Sequence, residues 1–205
     1  MIMDFTVPEN QLILSIQELK EAGFSHYKIN QLVDEKILRK LNKKFYENMS
    51  YKGKKRPFYY IDAYIPGGVV CLRSAAAYYH LTDDWPDVID VAIQRKARVS
   101  TMPQFPPVLV SYYAENRYST GIETIHEGSN SFRIYNLEKT VVDIVSFREK
   151  VGTEETRSII VRYLAKKDRN LDRLMEYADL LKCRDVMQSY LDAYGEKERG
   201  KNVVE

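Results

Sequence analysis

The stretch Leu19-Lys20-Glu21-Ala22-Gly23-Phe24-Ser25-His26-Tyr27-Lys28-Ile29-Asn30-Gln31-Leu32 decides how the chain begins. Leu19, Ala22, Phe24, Ile29 and Leu32 supply apolar residues at the inward positions of two short helices, and Gly23 between them can take the left-handed conformation that a tight turn requires. Upstream, Leu12, Ile13, Ile16, Leu19 and Ala22 recur at spacings of three and four, which predicts a helix from Pro8 to Ala22 punctuated by Pro8 and Gly23. Glu18 occupies an inward position and fits it poorly. Ser25 is the expected N-cap of the second helix. The outward face of that helix is then Ser25, His26, Tyr27, Lys28, Asn30 and Gln31, types that hydrogen-bond to base edges and phosphates. Three of these have a plainer reading as well: Asn30 and Gln31 as solvated side chains, Tyr27 as a half-buried helix tyrosine.

Working outward, Ile37–Leu41 and Phe45–Met49 read as short strands joined by Asn42-Lys43-Lys44, Asn being tolerant of left-handed turn geometry. The hairpin carries Arg39, Lys40, Lys43 and Lys44 where a wing would meet a phosphate backbone. Helix, turn, helix and basic hairpin predict a winged helix-turn-helix over residues 1–57 that binds double-stranded DNA; the competing reading is a small winged helix that docks protein.

The charge distribution points the same way. The 205 residues hold 31 Lys+Arg and 29 Asp+Glu, but Lys28 to Arg56 carries ten positive charges against Asp34, Glu35 and Glu47. Such a stripe attracts a polyanion by counterion release, although a solvated, Lys-rich linker would look similar. No apolar run approaches the roughly 18 residues of a membrane span, and the N-terminus lacks a basic region ahead of an apolar core, so neither a membrane protein nor a secretory signal is expected. Two cysteines, Cys71 and Cys183, cannot form a disulfide framework and are expected as reduced thiols in a cytoplasmic protein.

Residues 58–205 are expected to form a second, mixed α/β domain ending in an antiparallel helical bundle, which makes the whole chain α+β. The elements expected are a helix over Leu72–Leu81, strands at Val88–Ile93 and Val108–Tyr113, and a hairpin of Gly121–His126 with Ser131–Tyr135. Helices capped by Asn136, Thr153 and Asn170 follow, then a fourth to about Tyr194 and a frayed polar tail over 195–205. His26, His80 and His126 are scattered without metal-ligand spacing, and His80 reads as packing or capping its helix end. No phosphate-cradling glycine loop follows a strand, and Ser74 has no base partner. Asp87, Asp90 and Lys96 are the one set resembling a metal-dependent nuclease, against which a strand edge with solvated charges is the plainer account. The many tyrosines read as core and interface amphiphiles. No metal, cofactor or catalytic residue is expected.

Several segments carry a resemblance. Val70-Cys71-Leu72-Arg73-Ser74-Ala75-Ala76-Ala77-Tyr78-Tyr79-His80-Leu81-Thr82-Asp83, Pro86–Ile93 with Arg95, Arg117-Tyr118 with Gly121-Ile122-Glu123, Arg133–Asp143, Arg148–Gly152 and Lys166–Ala178 resemble AbiEi-type antitoxins of bacterial abortive-infection systems. The helix that usually precedes the two reading helices is short or missing. The resemblance implies a repressor binding inverted repeats in the promoter of its own toxin–antitoxin operon, monomeric in solution and able to bind cooperatively. It also implies a type IV antitoxin that counters a nucleotidyltransferase-like toxin without a stable complex, in the setting of phage defence. A winged-helix-targeted nuclease or nucleotidyl-handling enzyme, and a scaffold that binds the toxin directly, are the alternatives.

Overall fold

The chain is mixed α+β with two sheets. The computed structural model describes residues 7–99 and 102–201, with the side chains of 194–201 left aside. Two compact units account for it: residues 1–68, 98–106 and 124–132 form the first, and 69–97, 107–123 and 133–205 the second. The expected boundary at 57/58 lies inside the leading segment of the first unit. Among the described residues no helix is long and apolar enough to cross a membrane.

In the first unit β1 (Ile13–Ser15), α1 (Ile16–Glu21), α2 (His26–Asp34), β2 (Leu38–Lys40) and β3 (Phe45–Asn48) follow one another, and the antiparallel sheet has the order β1-β3-β2. Leu14 faces Tyr46 and Arg39 faces Glu47 across the ladders. The helix expected from Pro8 therefore starts only at Ile16. Two local signals override the helical spacing. Leu12 and Leu14 are buried two residues apart, the period of a strand. Ser15 and Glu18 then form a capping box: the Ser15 hydroxyl accepts from the Glu18 N–H at 3.1 Å, and the Glu18 carboxylate accepts from the Ser15 N–H at 2.7 Å. Glu18 is exposed, not inward as the spacing suggested: its side chain is turned back to the helix start by this cap. Burial disfavours its charge, but the Ser15 and Gln11 donors outweigh that and hold the carboxyl below its ordinary range.

Leu14, Leu19, Phe24, Ile29, Leu32, Leu38 and Tyr46 form the core here, each side chain contributing roughly 1.5–3 kcal/mol by burial. A 3-10 turn over Pro57–Tyr60 and the single-turn α3 (Ile61–Tyr64) bury Phe58, Tyr59, Tyr60 and Ile61 where no element is expected. The side chain of Asn130 is also within this unit, accepting from the Leu12 N–H at 2.7 Å.

In the second unit the sheet order is β6-β5-β4-β8-β7, built from β4 (Val69–Val70), β5 (Ile89–Gln94), β6 (Val108–Tyr113), β7 (Ile122–Glu127) and β8 (Asn130–Tyr135). The tip of the β7–β8 hairpin, residues 124–132, groups with the first unit. The two-residue β4 holds the centre, antiparallel to β5 and parallel to β8, while β5 and β6 run parallel. Helices α4 (Leu72–Tyr78), α5 (Glu115–Ser119), α6 (Leu137–Ser146), α7 (Arg148–Val151), α8 (Thr153–Ala165), α9 (Leu171–Leu180) and α10 (Arg184–Lys201) complete it. Asn136 and Asn170 cap α6 and α9 through their side-chain oxygens, as expected. Thr153 does not cap α8: Gly152, at φ 101°, occupies the cap position and Thr153 is the first helical residue. α10 continues to Lys201 where a frayed tail is expected; 202–205 lie outside the described residues. Every residue of α6 from Leu137 to Val145 is buried, so this helix has no wet side.

Candidate nucleic-acid interface

The recognition helix expected from the sequence is α2. Ser25, extended at φ −72° and ψ 160°, accepts from the Lys28 N–H at 3.2 Å and starts it. Ile29 and Leu32 point into the core at 1% and 5% exposure, which turns the remaining side chains outward. Ser25, His26, Tyr27, Asn30 and Gln31 are exposed and Lys28 is half-buried. Tyr27, at 81% exposure, is not the half-buried helix tyrosine of the plainer reading. Lys28 Nζ donates to Gln31 Oε1 at 3.3 Å, and Gln31 Nε2 donates to Glu35 Oε1 at 2.7 Å, so these two are held in a chain along the helix. The side chains of His26, Tyr27 and Asn30 make no such bond among the described residues. Past the cap residue Glu35, Lys36 takes φ 60° while the Ile37 N–H bonds to the Leu32 carbonyl at 2.9 Å, a Schellman end with lysine where glycine is usual.

The basic hairpin is β2–β3. Asn42 organises its tip through its side chain rather than a left-handed backbone: Oδ1 accepts from the N–H groups of Lys44 at 2.8 Å and Phe45 at 3.1 Å. Lys43 and Lys44 are exposed at the tip, and Lys40 is exposed on β2. Arg39 behaves differently. Its guanidinium pairs with Glu47, a carboxylate only 2% exposed that also takes Lys55 Nζ at 3.2 Å. Arg39 is thus tied to the sheet, and the cations left for a partner on the hairpin are Lys40, Lys43 and Lys44. A shallow groove of about 260 Å³, lined by Val33, Lys36, Leu38, Arg39, Lys40 and Met49, adjoins the end of α2.

In the second unit the nuclease-like set is not a cluster of free acids. Asp90 is 5% exposed, and its carboxylate accepts from the N–H groups of Arg73 and Ser74 at the start of α4, while the Asp90 N–H donates to Ser74 Oγ at 2.9 Å. Burial raises its pKa against those donors and the Arg73 charge. Asp87 and Lys96 are exposed, and among the described residues no group of three or more His, Cys, Asp or Glu gathers to hold a metal. His80 shapes its helix end with its backbone, taking φ 57° while the Leu81 N–H reaches the Ala76 carbonyl at 2.8 Å. Cys71 is buried and Cys183 half-buried, and both thiols are free and pushed up by burial.

A charged cluster escaped the sequence reading. Lys139 and Asp143, both 0% exposed and one helical turn apart on α6, form an ion pair. Arg117 Nη1 adds a second cation to Asp143 at 2.5 Å. Lys139 Nζ lies 4.0 Å from the Tyr135 ring centroid and Arg117 lies 5.0 Å from that of Phe147, so aromatic faces take up charge that one carboxylate cannot. Burial pulls the Lys139 pKa down, opposed by the charge and hydrogen bond of Asp143. Lys139 and Asp143, opposite charges four apart on a helix rich in Val, Ile and Leu, were the available signal.

No protein-family model matches the chain, and a search of curated proteins returns no significant match.

Proposed function

We propose that this chain is a cytoplasmic, DNA-binding autoregulator: a winged helix-turn-helix whose α2 reads operator bases while the β2–β3 tip grips phosphates. The observation that carries this reading is the outward face of α2, polar and exposed at His26, Tyr27, Asn30 and Gln31, followed in the same unit by a hairpin whose tip ends in two exposed lysines. A helix stabilised only for solubility is ordinarily decorated with Glu and Lys; this one presents groups that donate and accept at base edges. The second unit, through its resemblance to AbiEi-type antitoxins, is proposed to counter a nucleotidyltransferase-like toxin without holding it in a lasting complex. No catalytic group and no cofactor is invoked.

Gel-shift titration against inverted repeats from the promoter of its own operon tests the DNA half. Tight binding is expected, and replacing both Lys43 and Lys44 with Ala should weaken binding to all sequences and reduce the salt slope by about 0.9 per lost contact. Asn30→Ala should instead change preference at one base pair, by roughly 1–3 kcal/mol. Affinity and slope unmoved by the lysine replacements would defeat the wing assignment.

A further inference from the structure

The second unit contains a cationic crevice that the DNA reading does not use. It opens at the carboxyl ends of the parallel neighbours β5 and β6, the end of a parallel pair at which open α/β sheets bind ligands. Arg95 follows directly on β5 and Tyr112 lies near the end of β6; Asn116 and Arg117 come from α5, Phe147 from the end of α6, and Lys182 from the turn after α9. The crevice has a volume of about 420 Å³ and no carboxylate in its lining.

Its charges are of two kinds. Arg117 is fixed: Nη1 bonds to Asp143, Nη2 lies 3.4 Å from the Leu181 carbonyl and 3.5 Å from Ser146 Oγ, and its plane sits over the Phe147 and Tyr113 rings. Arg95 and Lys182 are exposed and have no ion-pair partner among the described residues. Asp143, the carboxylate behind Arg117, is shared with Lys139, so one carboxylate serves two cations there. The nearest acid on α5, Glu115, is engaged by Gln94. Three cations around one opening, one of them fixed, have the charge and donors that suit phosphate oxygens. The volume, however, falls within the range of small-molecule pockets of roughly 300–1,000 Å³, well above what a lone phosphate fills. Tyr112, 54% exposed on the wall, supplies a flat surface of the kind on which bases stack.

We infer that this crevice binds a free nucleotide, its phosphates held by Arg95, Arg117 and Lys182 and its base laid against Tyr112. The crevice shares no residue with α2 or the β2–β3 hairpin, so nucleotide binding there does not depend on DNA binding.

Calorimetric titration of the full chain with each of the four ribonucleoside triphosphates tests it, with tripolyphosphate, adenosine and a short DNA duplex as separate arms. At least one triphosphate should bind, and both tripolyphosphate and adenosine should bind about tenfold or more weakly, because each supplies only half of the contacts. Arg95→Gln combined with Lys182→Gly should lower triphosphate affinity about tenfold or more; both positions are exposed, and glycine suits the φ of 59° at 182, so the fold is kept. Tyr112→Ala should weaken the triphosphate and leave tripolyphosphate unchanged. Absence of binding at about 1 mM, equal affinity for tripolyphosphate and triphosphate, or indifference to the Arg95/Lys182 variant would each overturn the inference. A duplex arm that loses affinity in that variant while triphosphates do not bind would assign the crevice to polymeric DNA instead.

Discussion

Asp143 serves two cations at once from a position with no solvent. Replacing it with Asn leaves Lys139 and Arg117 without their counter-charge, and the expected cost is about 3–5 kcal/mol, the usual penalty for orphaning buried charge. Lys139→Met should cost far less, because Asp143 keeps Arg117 and the methionine fills the same channel beside Tyr135. Urea midpoints of the two variants measure the contrast; equal losses would show that the cluster is held by packing rather than by charge balance. That cluster was hidden in the sequence for a physical reason. Periodicity on α6 picks out Leu137, Val141, Ile144 and Val145 and assigns the remaining positions to water, whereas α6 is covered on all sides and its polar residues must find partners inside. Arg39 was obscured in a different way. Its charge and its place on a hairpin are readable, but its pairing depends on Glu47 being buried opposite it, a fact of register.

Three helix ends carry a left-handed residue that is not glycine: Lys36 after α2, His80 after α4 and Lys182 after α9. In each the following N–H returns to the last turn, so the geometry is fixed and the side chain must bear it. A left-handed conformation costs an L-residue roughly 1–2 kcal/mol, part of which glycine gives back through greater freedom in the unfolded chain. His80→Gly, at an exposed position, should therefore stabilise the second unit by about 0.5–1 kcal/mol, read as a higher denaturant midpoint at unchanged slope. A lower midpoint would mean that the imidazole contributes more than its strained backbone costs. Elements were legible where their signals are local. Asn136 and Asn170 announce their helices, and β5, β6 and β8 follow from apolar runs. The start of α1 was legible too, in the Ser15–Glu18 capping box, but the spacing of Leu12 to Ala22 masked it. β4, only two residues long, owes its existence to β5 and β8 on either side, and no window of sequence contains them all.

Across the whole chain, phenols dominate the response to alkali. Tyr59, Tyr60, Tyr79, Tyr113, Tyr135 and Tyr163 all have pKa values raised first by burial, above the ordinary value of about 10, and the Cys71 thiol is raised in the same way. In the folded state these groups keep protons that the unfolded chain releases, so the phenols' contribution is complete below about pH 10 and the thiol's below about pH 8.5, and each is lost as pH climbs past that point, at about 1.4 kcal/mol per pH unit. Lys139 has the opposite sign, since its lowered pKa makes folding easier as pH approaches about 10.4, but it is one group against many. Melting temperature should fall steeply above about pH 10, with tyrosinate absorbance from the buried phenols appearing together with unfolding. Gradual ionisation of every phenol near its ordinary value in a still-folded protein would contradict this. β6 carries a consequence of another sort. As the outermost ribbon of its sheet it has, among the described residues, one row of main-chain donors and acceptors without a ladder partner, and Leu109 and Tyr112 stand exposed along it at 57% and 54%. In concentrated solution this flank is the natural seed for edge-on self-association, and a lysine at 109 is the gatekeeper that would blunt it.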